Sequence, residues 1–347
     1  MAKTKLCYYL FLLLVVAGHA TAGSTVKFLR GFLGPLPFEL ETGYVGVGDS
    51  EDVQLSYYFI KSESNPESDP LMLWVTGGPG CSALSGLIYE IGPMEYNGSL
   101  PTMILNPYSW TKTASIIFLD LPVGTGFSYA TTPTALQSSD LQASDHAHQF
   151  LHKWFVDHPE FLSNPLYVGG DSSYADWYKL SYHWADDGQV RDALSIRKGT
   201  IGKWDRCATL QYQKMVINSI PYHENLSSKG YRSLIYSGDH DKVVTFRSTQ
   251  AWIKSFNYYV LDDWRTWTLD NQVAGLVLGV KIALVVYFCL QGAGHTAPEC
   301  LDMLTRWVCL TSPCNWKMYH KILCIRKKKK LITTFISMIY LWPIGIV

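Results

Sequence analysis

A chain of 347 residues, 48% hydrophobic and 14% aromatic, is long and apolar enough for one large α/β domain or two ordinary ones. Its 29 Lys+Arg balance 29 Asp+Glu, so net charge gives no drive toward nucleic acid or an anionic membrane surface. No paired CxxC motif, phosphate loop or dinucleotide fingerprint occurs, since Gly46-Val47-Gly48 has Glu51 where the third glycine belongs. Neither a metal nor a cofactor is expected.

The N-terminus reads as a secretory signal over residues 1–22. Lys3 and Lys5 precede an unbroken apolar or aromatic run at 6–16, and Ala20-Thr21-Ala22 has the A-x-A form of a cleavage site. The run is short for a bilayer span. Secretion leaves Cys81, Cys207, Cys289, Cys300, Cys309, Cys314 and Cys324, an odd number, in an oxidising compartment. It also makes Asn97-Gly98-Ser99 and Asn225-Leu226-Ser227 N-glycosylation sequons.

Short apolar runs at 57–60, 71–75, 116–119, 166–168 and 233–236 predict buried strands, and helical stretches fall at 141–156 and 248–256. Strands alternating with helices predict an α/β fold, a mostly parallel central sheet with helices on both faces. Polar residues and glycines gather just after the strands, at Thr76-Gly77-Gly78, Asp120-Leu121-Pro122, Asp171-Ser172 and Asp239-His240-Asp241. Carboxyl ends of strands are where such sheets bind ligands.

Residues 274–290 are apolar apart from Lys281, whose position makes them a buried segment rather than a membrane span. A basic cluster at 326–330 then precedes an apolar tail at 331–347. Seventeen helical residues reach about 25 Å, short of a ~30 Å hydrocarbon core. Pro343 would kink such a helix, and the basic cluster would lie on the wrong side for an anchor. The tail reads as peripheral or disordered.

Gly170-Asp171-Ser172 supplies the first three positions of a G-x-S-x-G nucleophile elbow, but Tyr174 replaces the second glycine. On that motif alone an ordinary strand-end serine is the better reading. Three further signals shift it. Thr76-Gly77-Gly78-Pro79-Gly80 has the form of a glycine-rich oxyanion loop. Asp239 and Asp241 offer an acid at a strand end, and His295 stands in the glycine-rich Gly292-Ala293-Gly294-His295. The order Ser, Asp, His is that of α/β-hydrolases. His148 and His152 share a helical face, but without a following Glu they read as solvated.

The segments LMLWVTGGPGCSALSGLIYEIGP (71–93), IIFLDLPVGTGFSYA (116–130), YVGGDS (167–172), LIYSGDHDKVV (234–244) and GAGHTAPE (292–299) resemble the plant serine carboxypeptidase-like family. The resemblance covers 24–172 and 178–273, with a final island at 292–308. It implies an α/β-hydrolase fold with a cap. Ser172 would be the nucleophile, His295 the general base, and Asp241, rather than Asp239, its orienting acid. The oxyanion hole would be the N–H groups of Gly78 and Ser173. Thr76, Gly77, Glu90 and Asp171 would bind substrate, and Cys81 would pair with Cys207. The implied partner is a peptide or an acyl ester.

The family pattern breaks after Ser172, where a core strand and most of the cap have no counterpart. This predicts an internal deletion near 173–178, an atypical insert at 275–291 and a non-family tail at 309–347, with the hydrolase domain over 23–308. Ser173 is an alternative nucleophile, but Gly170 stands correctly two residues before Ser172. Three functions are compatible with these residues: a secreted or vacuolar serine carboxypeptidase, an acyltransferase drawing on glucose esters, and a catalytically inactive splice-type variant. Thr76 and Asp171, where the peptidase branch has Asn and Glu, point toward the acyltransferase.

Overall fold

Three strands open the structure: β1 (Ser24–Val26), β2 (Leu40–Val47) and β3 (Val53–Ile60), each antiparallel to the next. The computed structural model describes residues 23–97, 102–172, 179–269, 271–281 and 285–299. Residues 1–22, expected to be a signal, Ser99 of the first sequon, Ser173, Cys300 and the tail beyond it lie outside these residues.

Strands β4 (Leu71–Gly77), β5 (Ser115–Leu119) and β6 (Leu166–Ser172) complete a seven-stranded sheet of order β1-β2-β3-β5-β4-β6, with the short strand Tyr129–Ala130 beside β3. β5, β4 and β6 run parallel. Their runs are apolar without alternation because layers cover both faces, and β5 is buried throughout. The sheet is mixed, with helices on both faces, as the expected α/β-hydrolase fold allows, and β1 to β3 form its antiparallel part. Close-spaced strands such as β2 and β3 pair as antiparallel neighbours, whereas parallel pairing needs a long crossover.

That crossover, between β5 and β6, contains α1 (Asp140–Asp157). The Ser139 hydroxyl caps it by accepting from the Gln142 N–H. Ala143, Ala147, Phe150, Leu151 and Trp154 recur at three- and four-residue spacing and are buried against Tyr57, Phe59, Leu73 and Val168. Trp154 packs edge-on to Phe59 with ring centroids 4.9 Å apart, and its truncation to alanine would cost about 3–5 kcal/mol. On the opposite face, helices α2 (Lys179–Ala185) and α3 (Gly188–Ala193) bring Trp184 and Val190 into a core with Trp74, Phe118 and Trp204.

A separate four-stranded sheet follows. It contains β7 (Ser233–Gly238), β8 (Tyr259–Leu269), β9 (Gln272–Lys281) and β10 (Val285–Leu290), in the order β7-β10-β9-β8. The apolar stretch at 274–290 is therefore strand over 274–281 and 285–290, and among the described residues no helix is long and apolar enough to cross a membrane. Helices α4 (Ile220–Ser228) and α5 (Phe246–Ser255) flank this sheet, and α5 buries Trp252 and Ile253 against Leu278 and Tyr287.

Strands β6 and β7 are both end strands, so no backbone ladder joins the two sheets among the described residues. A seam runs between them. Among the described residues only side chains and loops cross it, and Ser172, Asp241 and His295 lie there.

Candidate active site

Strand β6 delivers Asp171 and Ser172 at its carboxyl end. A Cβ on Gly170 would lie 2.3 Å from the Val75 carbonyl oxygen, so only glycine lets the β4 backbone approach this closely. The close pairing sets Asp171 opposite Thr76 and Ser172 opposite Gly77.

From the other sheet, β7 runs into Asp239-His240-Asp241. A Cβ on Gly238 would meet the Ala293 carbonyl oxygen at 2.1 Å, so glycine again permits backbone to press against backbone. The His240 N–H donates to Ala293 O at 3.0 Å, and Asp239 Oδ1 accepts from the Gly292 N–H at 2.7 Å. These bonds hold the 292–295 loop against β7. Asp241 Oδ1 accepts from the N–H groups of Val243 and Val244, which fixes its carboxylate.

His295 stands between the two sheets. Its Nδ1 lies 3.0 and 2.9 Å from the two carboxylate oxygens of Asp241, and its Nε2 lies 2.8 Å from Ser172 Oγ. The side chains of His295 and Asp241 are only 11% and 5% exposed, so solvent screens their attraction little. A carboxylate that accepts Nδ1–H leaves the Nε2 lone pair facing the serine hydroxyl, the tautomer that can accept its proton. Of the two aspartates, Asp241 touches the imidazole and Asp239 pins the loop. Thr296 Oγ1 adds a bond to the Ser172 carbonyl oxygen at 3.3 Å. Ser173 lies outside the described residues.

The glycine-rich turn after β4 is clamped from two sides. Gly80 has φ +104° and room for no Cβ, since one would lie 2.6 Å from Ala208 O. The Ala208 N–H donates to Gly80 O at 3.0 Å, the Ser82 N–H to Arg206 O at 2.7 Å, and between them Cys81 and Cys207 form a disulfide. On the other side, Asp120 at the end of β5 accepts from Ser82 Oγ and the Ala83 N–H through Oδ1, and from the Phe127 N–H through Oδ2. Burial pushes its carboxyl up to about 6 against the pull of these donors. Gly78 is thus carried on a fixed frame. Sequence reasoning noted Asp120 at a strand end but gave it no task; a fully buried acid inside an apolar run was the available signal.

Thr76 is fully buried, with no hydrogen-bond partner for its hydroxyl among the described residues. Glu90 is also fully buried. Its Oε2 accepts from Trp74 Nε1 at 2.9 Å, and burial raises its carboxyl to about 8, opposed by that bond and by the Arg206 charge. At neutral pH Glu90 is mostly protonated and is itself a donor. Asp171 is half-buried, and the Tyr236 hydroxyl, from β7, donates to Gly170 O at 3.2 Å beside it, close enough for the Asp171 carboxyl to raise the phenol's pKa. Sequence reasoning did not single out Tyr236. Asn97 is exposed and Asn225 lies half-buried within α4. The His148 and His152 rings meet on α1, but among the described residues no group of three His, Cys, Asp or Glu could hold a metal.

Parallel strands that present a serine, an imidazole and a carboxylate in contact, with helices on both faces, define an α/β-hydrolase. The chain belongs to the serine carboxypeptidase family, whose model matches residues 31–179 and 174–309. Serine carboxypeptidase-like 17 of Arabidopsis thaliana is 38% identical over 431 residues, covering 88% of this chain and 98% of that protein. Serine carboxypeptidase-like 12 of the same plant is 38% identical over 424 residues, covering 86% and 97%. Both alignments run longer than this 347-residue chain, so the relatives carry residues with no counterpart here. The solved structure of Kex1(Δ)p, a prohormone-processing carboxypeptidase of Saccharomyces cerevisiae, shares the fold with a TM-score of 0.69. Its identity is 15%, over 82% of this chain and 94% of that one.

Proposed function

We propose that the protein is a serine carboxypeptidase that releases C-terminal residues from peptides through an acyl-enzyme on Ser172. The observation that carries this reading is the 2.8 Å contact between Ser172 Oγ and His295 Nε2, with Asp241 on the far side of the ring. His295 takes the hydroxyl proton as Oγ attacks the scissile carbonyl carbon, and the Gly78 and Ser173 amides bind the oxyanion. Asp241 stabilises the imidazolium, which passes its proton to the leaving amine. Water, deprotonated by the same imidazole, then releases the acyl group and restores Ser172. The Thr76 hydroxyl, the Gly77 backbone and protonated Glu90 donate to the peptide's terminal carboxylate, and Asp171 completes that subsite.

One observation favours a second reading, an acyltransferase that uses the same acyl-enzyme. Thr76 offers a single hydroxyl and Asp171 a short carboxylate at the subsite, a weaker grip on a terminal carboxylate than an amide and a longer acid would give. The unladdered seam favours a third, a catalytically inactive splice-type variant with a deletion near 173–178. The two family matches overlap at 174–179, which supports a deletion there. The remaining assignments are a hydrolase domain over 23–308 containing the 275–291 segment, a tail at 309–347, a signal over 1–22 leading to the secretory route or vacuole, and glycosylation at Asn97 and Asn225. The Cys81–Cys207 disulfide is compatible with that route.

The test is to treat the purified chain and its Ser172→Ala form with a fluorophosphonate probe, then with a blocked dipeptide and with a glucose ester plus an alcohol. Labelling of the native chain alone and dipeptide cleavage support the peptidase. Ester-to-alcohol transfer without cleavage selects the acyltransferase. A folded native chain that takes no label selects the inactive variant.

A further inference from the structure

In a continuous sheet a ladder of backbone hydrogen bonds would fix the strand that carries the nucleophile relative to the strand that carries the acid. Here β6 and β7 share no such ladder, and the site must be held by what crosses the seam. Among the described residues three polar contacts do so beside Ser172: His295 to Ser172 Oγ, Thr296 Oγ1 to Ser172 O, and the Tyr236 hydroxyl to Gly170 O at 3.2 Å. The first belongs to the reacting pair and is broken and remade whenever a proton moves. The second, at 3.3 Å, comes from the residue next to His295 and so moves with the loop that carries the reacting imidazole.

We propose that Tyr236 is a positioning residue: its hydroxyl, reaching from β7, grips the Gly170-Asp171 end of β6 and keeps Ser172 in register with His295 across the seam. The inference rests on the reading of Ser172 as nucleophile and adds a residue which that reading does not contain. Tyr236 lies five residues before Asp241 on the same strand and turn, so one short rigid segment carries both the acid and the tie. Gly170 O, on the open edge of an end strand, acquires in the phenol a partner that a missing strand would otherwise supply. Burial raises the phenol's pKa well above the ordinary value, and the nearby Asp171 and Glu90 carboxyls raise it further, so it remains a donor through the physiological range. An error of about 1 Å in such a pair costs on the order of a hundredfold in rate, so a tie next to the nucleophile has leverage.

The test is Tyr236→Phe in the full chain, which removes one oxygen and keeps the ring. Fluorophosphonate labelling gives the maximal rate and the half-saturating probe concentration separately. The maximal rate should fall about tenfold, as expected for one lost hydrogen bond to a charged or carbonyl partner, with half-saturation and melting temperature unchanged. Incorporation of p-aminophenylalanine at position 236, which restores a donor, should recover the rate. Labelling of Tyr236→Phe at the native rate, or a loss matched by lost folded protein, overturns the proposal. If the native chain itself takes no label, the nucleophile reading fails, and the tie is judged by amide hydrogen exchange over 166–172. That exchange should then quicken about threefold or more in Tyr236→Phe, and equal exchange overturns the proposal.

Discussion

His295 Nε2 and Ser172 Oγ lie 2.8 Å apart although they belong to different sheets with no shared backbone ladder. The contact is built from each side by a glycine that a larger residue could not replace, Gly170 against Val75 and Gly238 against Ala293. Local backbone approach, rather than a continuous sheet, places the pair.

Asp241→Asn tests the electronic side of that arrangement. An amide in place of the carboxylate can hold the imidazole in the wrong tautomer, with Nε2 protonated toward Ser172. Activity and probe labelling should fall roughly 10³–10⁴-fold with little change in stability. Because Asp239 pins the loop and does not touch the imidazole, Asp239→Asn should cost far less in both assays. Equal losses for the two variants would refute the assignment of Asp241.

Gly170→Ala tests the steric side. The added methyl would sit 2.3 Å from Val75 O, so β6 must move away from β4, carrying Ser172 with it. A drop in stability of about 1–3 kcal/mol and a loss of labelling greater than the loss of folded protein are expected, by denaturant titration and probe rate together. A variant with native stability would show that the two strands separate freely here.

Much of this was legible in the sequence, and the reasons differ by element. Strands β3 to β7 stand out because apolar runs ending in Gly, Asp or Pro report burial and termination at once. The helix at 140–157 stands out because its apolar residues fall on one stripe. The contact of Asp241 rather than Asp239 with His295 agrees with the family pattern, and spacing alone left the two equal. The seam was less legible. Pairing partners of a strand are set by tertiary context, so the division into two sheets and the mixed strand directions appear only in three dimensions. Tyr236 and Asp120 escaped for a related reason: each acts across a distance in sequence, 66 residues in the case of Tyr236 and Gly170.

Glu90→Gln tests the buried acid. The folded chain holds the Glu90 proton up to about pH 8, whereas an unfolded chain releases it near 4.5. Between these values the unfolded state binds fewer protons, so this group's contribution to stability falls as pH rises. Glutamine removes the penalty and keeps an oxygen for Trp74 Nε1. The melting temperature of Glu90→Gln should match the native protein near pH 4.5 and exceed it by on the order of 5 °C at pH 8. A difference that stays constant with pH would show that Glu90 ionises freely.

His223 tests the opposite limb. It lies buried on α4 beside Trp252 and Phe256, with ring centroids 4.9 and 6.1 Å away, and burial lowers its pKa to about 4. A histidine in an unfolded chain takes up a proton near 6.5, so as pH falls from 6.5 toward 4 the unfolded state gains protons that the folded state refuses, and stability is lost. His223→Phe places a ring of similar shape among the same aromatics without a titrating nitrogen. Denaturant titrations at pH 7.5 should give stabilities within about 1 kcal/mol of each other. At pH 4 the variant should be more stable than the native chain by roughly 2–3 kcal/mol. The comparison bears on where the protein works, because a chain routed to an acidic compartment would carry this liability throughout its working life. A native chain that loses no more stability than His223→Phe between these two pH values would mean that the buried imidazole is protonated in the folded state.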